Sequence, residues 1–131
     1  MPPKHHNPGH PITLQLAQER VVAFSISALS TYALVPELNC AFDMGDCLLD
    51  AVPIERVFVT HAHGDHTRCL FRHDSLRRLM GMAPATYYVP AATVEGFRGL
   101  AEAWRRLESV RPRQHEPPRL EGLEPGAVVW L

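Results

Sequence analysis

Apolar and polar positions alternate through Ile12, Leu14 and Leu16 and again through Phe24, Ile26 and Ala28, on either side of the charged pair Glu19-Arg20. A period of two places the apolar set on one face of an extended chain, so the pattern predicts two strands joined by a short turn. Tyr32 to Val35, stopped by Pro36, and Leu38 to Phe42, closing at Asp43 with Gly45 just beyond, extend it into a β-meander over the first third. Arg56 to Thr60 lacks alternation. It is a continuous β-branched and aromatic run of the kind buried on both sheet faces.

After His66 the spacing becomes helical. Leu70, Phe71, Leu76, Leu79 and Met80 fall on one side and Arg68, Arg72, Arg77 and Arg78 elsewhere, which predicts a helix, with a break near His73-Asp74. Thr86 to Val89 reads as a strand closed by Pro90, and Ala91 to Leu107 as a helix burying Val94, Phe97, Leu100, Ala101, Trp104 and Leu107. Tyr87, Tyr88 and Trp104 are assigned to core packing rather than to stacking on bases. Arg111 to Pro125 is rich in proline and charge and suits a surface connection, and Ala127 to Leu131 reads as a further apolar strand. No internal repeat is visible.

A chain of 131 residues is long enough for one core and too short for two, and residues 1–11, with four prolines, read as a flexible tail ahead of one domain from 12 to 131. A 46% apolar and 21% charged composition with a net charge of -1 argues against disorder and against a grossly basic nucleic-acid binder. Cys40, Cys47 and Cys69 are odd in number and lack C-x-x-C spacing, which favours a reducing cytoplasm and small buried hydrophobes; Cys69 is a minor ligand candidate, three residues after His66. Val21 to Val35 is interrupted by serines and threonine and falls short of a membrane span, and the amino terminus has no apolar segment suited to a secretory signal. His5, His6 and His10 belong to the solvated tail.

Chemistry concentrates in His61-Ala62-His63-Gly64-Asp65-His66, at the carboxyl end of the run Val57-Phe58-Val59-Thr60. Imidazoles and a carboxylate are the donors that suit zinc, manganese or iron(II), and packing requires no such cluster. Residues two apart on extended backbone point the same way, so His61 and His63 can share one ion while Asp65 and His66 turn toward a second, with Gly64 expected at a positive φ between the pairs. Two ions ~3.5–4 Å apart can clamp attacking and leaving oxygens and acidify water.

This strand and motif resemble the signature of the metallo-β-lactamase fold, and Phe42-Asp43-Met44-Gly45 resembles the Asp-x-Gly element of that superfamily. Ser25, Val35-Pro36, Cys40-Ala41-Phe42-Asp43 and Tyr88-Val89-Pro90 resemble the ribonuclease Z-like branch in particular. The resemblance implies an α/β fold, the first half of an αββα sandwich with a mixed sheet and flanking helices. It implies a zinc-dependent phosphodiesterase, with two Zn2+ ions, or Mn2+ or Fe2+ in their place. His61 and His63 would hold the first ion, Asp65 and His66 the second, Asp65 would also accept a proton from the attacking water, and Asp43 would orient ligands from behind.

The chain departs from the family in two ways. Thr67-Arg68-Cys69-Leu70 replaces the Gly-Gly that follows the motif in many relatives, and the further histidines and bridging aspartate of the family have no convincing counterpart. After His66 only His73 and His115 remain, His73 on a predicted helix surface and His115 in the exposed connection, and no aspartate follows Asp74. The expectation is therefore a domain incomplete at its carboxyl end, its missing ligands supplied by a separate half or a homodimer, or a non-catalytic remnant. Thioester hydrolysis or sulfur oxidation on the same fold is the third alternative. Nine arginines between Thr67 and Arg113 against four acids offer charge to RNA phosphates, although solvated helix faces are the favoured explanation.

Overall fold

In a computed structural model of the chain, which describes residues 9–111 and 115–131, seven strands form one sheet in which spatial order follows sequence order. The strands are β1 (Ile12–Leu16), β2 (Glu19–Ile26), β3 (Ser30–Val35), β4 (Cys40–Met44), β5 (Arg56–Phe58), β6 (Thr86–Pro90) and β7 (Arg119–Leu123). The first four pair antiparallel and the last four, from β4 on, parallel. The helices are α1 (Gly64–Thr67), α2 (Leu70–Leu79) and α3 (Val94–Leu107). This is the expected mixed α/β sheet, a meander followed by parallel strands. His5 and His6 of the tail lie outside the described residues, as does Arg113, and His10 is exposed.

Several boundaries move for local reasons. Ala17 takes a left-handed φ of 52° at the β1–β2 turn, so Glu19 and Arg20 are the first residues of β2 rather than the turn itself. Pro36 starts a 3-10 turn over Pro36–Leu38 that Asn39 closes at φ 51°, and the fourth strand therefore begins at Cys40 instead of Leu38. α2 runs unbroken through His73 and Asp74. β7 arises inside the stretch read as a surface connection, whereas 127–131 forms no strand and leaves Trp130 89% exposed. β7 is hard to see in the sequence because Gly122 replaces an apolar position. An added Cβ there would lie 2.7 Å from Val94 Cγ2 and 3.0 Å from the Ala91 Cα, so close packing on α3 is achieved with no side chain.

The register separates two faces. Val22, Leu34, Ala41, Val57, Tyr87 and Leu120 lie opposite one another across β2 to β7, and all belong to or pack against the core. Leu70 and Phe71 of α2 and Phe97 and Ala101 of α3 close over that face. The next row, Ile12, Ala23, Ala33, Phe42, Phe58, Tyr88 and Glu121, faces the other way. There Phe42, Phe58 and Tyr88 stack with centroids 5.4 and 4.7 Å apart, yet Phe42 remains 44% exposed. The helices thus cover a single face. On α3 the buried stripe is narrower than expected, since Leu100 and Leu107 are exposed. No helix among the described residues is long and apolar enough to cross a membrane.

Candidate metal centre at the carboxyl ends of β4 and β5

Parallel pairing brings the carboxyl ends of β4 and β5 side by side, with Asp43 near the end of one and Thr60-His61 just past the other. Asp43 is buried and held at φ 60°, a left-handed conformation that aims its carboxylate sideways at the next strand. Its Oδ1 accepts the Thr60 backbone N–H at 2.8 Å. Its Oδ2 accepts the Thr60 hydroxyl at 2.8 Å and lies 2.8 Å from His66 Nδ1.

Counting protons fixes the imidazoles. A carboxylate only accepts, so the single Thr60 hydroxyl proton points to Asp43 and the proton between Asp43 and His66 sits on Nδ1 of the histidine. The Thr60 oxygen, its own proton committed, then accepts from His61 Nδ1 at 3.0 Å. Both rings therefore carry their proton on Nδ1, so that in the neutral form Nε2 is the atom with the free lone pair. One buried carboxylate, directly and through one hydroxyl, engages Nδ1 of both rings and turns Nε2 away from it, which is how histidines bound to metals are usually oriented from behind.

The remaining motif residues sit around these two. His63 precedes α1 and its carbonyl accepts from the His66 backbone N–H and the Thr67 hydroxyl, each at 3.0 Å, which folds the motif into a turn. The His61 ring lies 4.6 Å from that of His63 and 4.1 Å from that of His66, centroid to centroid. Asp65 Oδ2 stands 3.5 Å from His66 Nε2. Two ligands of one tetrahedral zinc are separated by roughly 3.3–3.6 Å, so this pair is spaced to share an ion. Among the described residues, however, no three His, Cys, Asp or Glu side chains form a group that could hold one. The Asp65–His66 pair has this spacing, and the donor chemistry of the motif fits a divalent cation without completing its shell.

Gly45 explains the tight fit of the loop. A Cβ at this position would overlap the Asp65 carbonyl oxygen and would come within 2.6 Å of the Thr31 nitrogen and 2.7 Å of Ser30 Oγ. Only glycine lets β4 and the motif lie this close. Gly64 corrects the expectation of a positive φ: it is the first residue of α1, and a Cβ there meets nothing within 4 Å.

Other candidates fall away from the site. His73 is fully buried rather than on the surface, with Nδ1 2.8 Å from the Tyr87 hydroxyl and Nε2 3.0 Å from the Ala51 carbonyl. Burial pulls its pKa down to about 4. His115 is exposed, as expected. Burial pushes the Cys47 thiol up to about 11, with Cys69 nearby adding to the shift, so Cys47 is a small hydrophobe rather than a nucleophile. Thr60 carries more than the sequence suggested. Its one signal is a short hydroxyl between a buried strand and the first histidine.

A hollow of about 320 Å³, lined by Ala62, Thr67, Ala92, Thr93, Gly96, Phe97 and Leu100, borders the motif. A larger one of about 680 Å³ lies between α3 and residues 115–120 and includes no motif residue. Of its three arginines, Arg98 pairs with Glu95 and Arg105 donates to the His115 and Glu116 carbonyls.

No family model matches the chain. Comparison with curated proteins does find relatives. The chain is 32% identical over 97 residues to the chloroplastic tRNase Z TRZ2 of Arabidopsis thaliana, covering 74% of this chain and 27% of that protein. It is 33% identical over 96 residues to tRNase Z TRZ1 of the same plant, covering 73% and 34% respectively. A nuclear ribonuclease Z of Triticum aestivum is 32% identical over 95 residues, covering 72% of this chain and 54% of that relative. The chain therefore spans about a quarter to about half the length of these proteins, and over nearly three-quarters of its own length it is similar to the ribonuclease Z group.

Proposed function

We propose that this chain carries the amino-terminal half of a ribonuclease Z-like, metal-dependent phosphodiesterase of the metallo-β-lactamase fold. The observation that carries the reading is the Asp43–Thr60 network, which engages Nδ1 of both His61 and His66 and so presents Nε2 of each as the atom for a ligand, the latter beside Asp65. Similarity to proteins named tRNase Z supports an RNA phosphodiester as the substrate class. His61 and His63 would hold one divalent cation, zinc above all, and Asp65 with His66 a second. The chemistry such ions would supply is Lewis acidity, which brings the pKa of water to about 7. Asp43 keeps both rings in the tautomer that presents a lone pair, and it does so without facing the substrate. Asp65 accepts the Ala28 N–H on Oδ2 at 3.1 Å and would take the proton from the attacking water.

The incomplete ligand set and the uncovered sheet face together favour a half-domain that acts with a second layer, a separate carboxy-terminal half or a second copy of the chain. The stacked row Phe42–Phe58–Tyr88 is the surface such a layer would cover. The test is zinc stoichiometry by atomic emission and turnover of bis-p-nitrophenyl phosphate. Each is measured for the chain alone and with the portion of the Arabidopsis thaliana relative TRZ1 that this chain does not match. Zinc retained through dialysis and lost in His61→Ala and His66→Ala is expected, with turnover only in the mixture. Absence of zinc at these side chains in both samples would sink the reading.

A further inference from the structure

Arg68 lies two residues after His66, and each of its three guanidinium nitrogens donates to a different acceptor. Nε reaches the Gly45 carbonyl at 2.6 Å, Nη1 the Leu29 carbonyl at 2.7 Å and Nη2 Asp46 Oδ1 at 3.0 Å. Gly45 and Asp46 follow β4, and Leu29 belongs to the turn between β2 and β3. That turn is closed by the Leu29 N–H on the Ile26 carbonyl at 3.0 Å and contains Ala28 at φ 62°. The Ala28 N–H donates at 3.1 Å to Oδ2 of Asp65, the oxygen that faces His66 Nε2. Ser30 strengthens the same tie by donating to Asp46 Oδ2 at 2.8 Å.

We infer that Arg68 is a positioning residue for Asp65. Its planar fork locks the β2–β3 turn onto the loop after β4, and the turn in consequence fixes the carboxylate through the Ala28 N–H. A lysine could make one of these bonds and no fork. An exposed Arg–Asp pair alone is worth little to stability, so the value of Arg68 lies in the geometry it imposes on one oxygen. The inference rests on the proposed function for what Asp65 does, and on the hydrogen bonds above for how Asp65 is held.

Two measurements on the full chain, wild type against Arg68→Ala, Arg68→Lys and the surface control Arg98→Ala, decide it. The first is amide hydrogen exchange at Ala28, which involves no metal. Exchange at least about 10-fold faster in both Arg68 variants and unchanged in the control is expected, and protection equal to wild type in Arg68→Ala overturns the inference. The second is titration with Co2+, read by the visible band of tetrahedral cobalt. An affinity about 10-fold or more weaker with a diminished band, at a melting temperature close to that of wild type, is expected of a group that orients a ligand. Rescue by Arg68→Lys in both measurements also overturns the inference, since charge without the fork would then suffice. Wild type that takes up no Co2+, both alone and with the unmatched portion of TRZ1, overturns the metal reading instead, and Ala28 exchange then judges Arg68 by itself.

Discussion

Asp43 holds a left-handed backbone that costs a non-glycine residue about 1–3 kcal/mol, and it recovers this through three hydrogen bonds to Thr60 and His66. Asp43→Asn keeps the shape but places an amide that can donate where only acceptors are wanted. It is expected to weaken zinc binding by about 10–100-fold, measured by competition with a chromophoric chelator. Affinity within twofold of wild type would show that the tautomer argument fails. The two glycines give opposite expectations. Gly45→Ala should prevent folding or cost several kcal/mol in urea denaturation, because its Cβ meets backbone atoms that cannot retreat. Gly64→Ala should be neutral or stabilising by up to about 1 kcal/mol, at an open helical position. At this scale the sequence revealed the motif and Asp43-Met44-Gly45 because histidine and carboxylate at such spacing have few other uses. It could not reveal Thr60, whose role depends on where one hydroxyl proton points, nor the Ala28 N–H, which every residue but proline possesses.

Helix α2 buries Leu70 and Phe71 as its apolar spacing predicts, and departs from that pattern further along. Leu79 is 78% exposed while His73, Asp74, Ser75 and Arg77 are buried, because the helix packs over a loop whose carbonyls need donors. Arg77 supplies them to Val52 at 2.8 Å, Ile54 at 3.1 Å and Ala83 at 3.0 Å. Arg77→Ala should therefore destabilise by about 3 kcal/mol or more, leaving buried carbonyls unpaired, whereas Leu79→Ala should stay within about 0.5 kcal/mol; urea midpoints compare them. His73 adds a pH dependence. Its folded pKa, about 4, lies below the ordinary 6.5, so the unfolded chain binds more protons between those values. Stability from this group is complete above pH 6.5 and falls as pH drops toward 4, by roughly 3 kcal/mol in all. Asp74, whose carboxyl is pushed up chiefly by burial, works in the opposite sense, so the measurement is a comparison. Unfolding free energy of His73→Gln should fall less steeply than wild type from pH 6.5 to 4, and parallel slopes would refute the assignment. Periodicity reads side chains as apolar or polar, and it is blind to a polar helix face that is satisfied by the carbonyls of a distant loop.

Across the whole molecule, alternation in the strands established that the sheet has two unlike faces but not which face the helices would take. That choice emerges only when Leu34, Ala41, Val57 and Tyr87 align under α2 and α3 and leave Phe42, Phe58 and Tyr88 on the far side. Ile12, Leu14 and Leu16 of β1 add more apolar surface, at 58%, 49% and 56% exposure. Large exposed apolar patches are typical of contact surfaces in general. If a second layer both covers that face and completes the ligand set, the aromatic row must matter to metal binding although it touches no ligand. Phe58→Ser removes the middle ring of the stack and should cost the isolated chain only about 1–2 kcal/mol, since little of the helix-covered core changes. In the mixture with the unmatched portion of TRZ1 it should abolish the gain in zinc per chain, read by atomic emission after gel filtration. Leu79→Ser, equally apolar in origin but on the helical side, should leave that gain intact. A Phe58→Ser chain that still acquires zinc in the mixture would separate the uncovered face from the completion of the site, and the second layer would have to dock elsewhere.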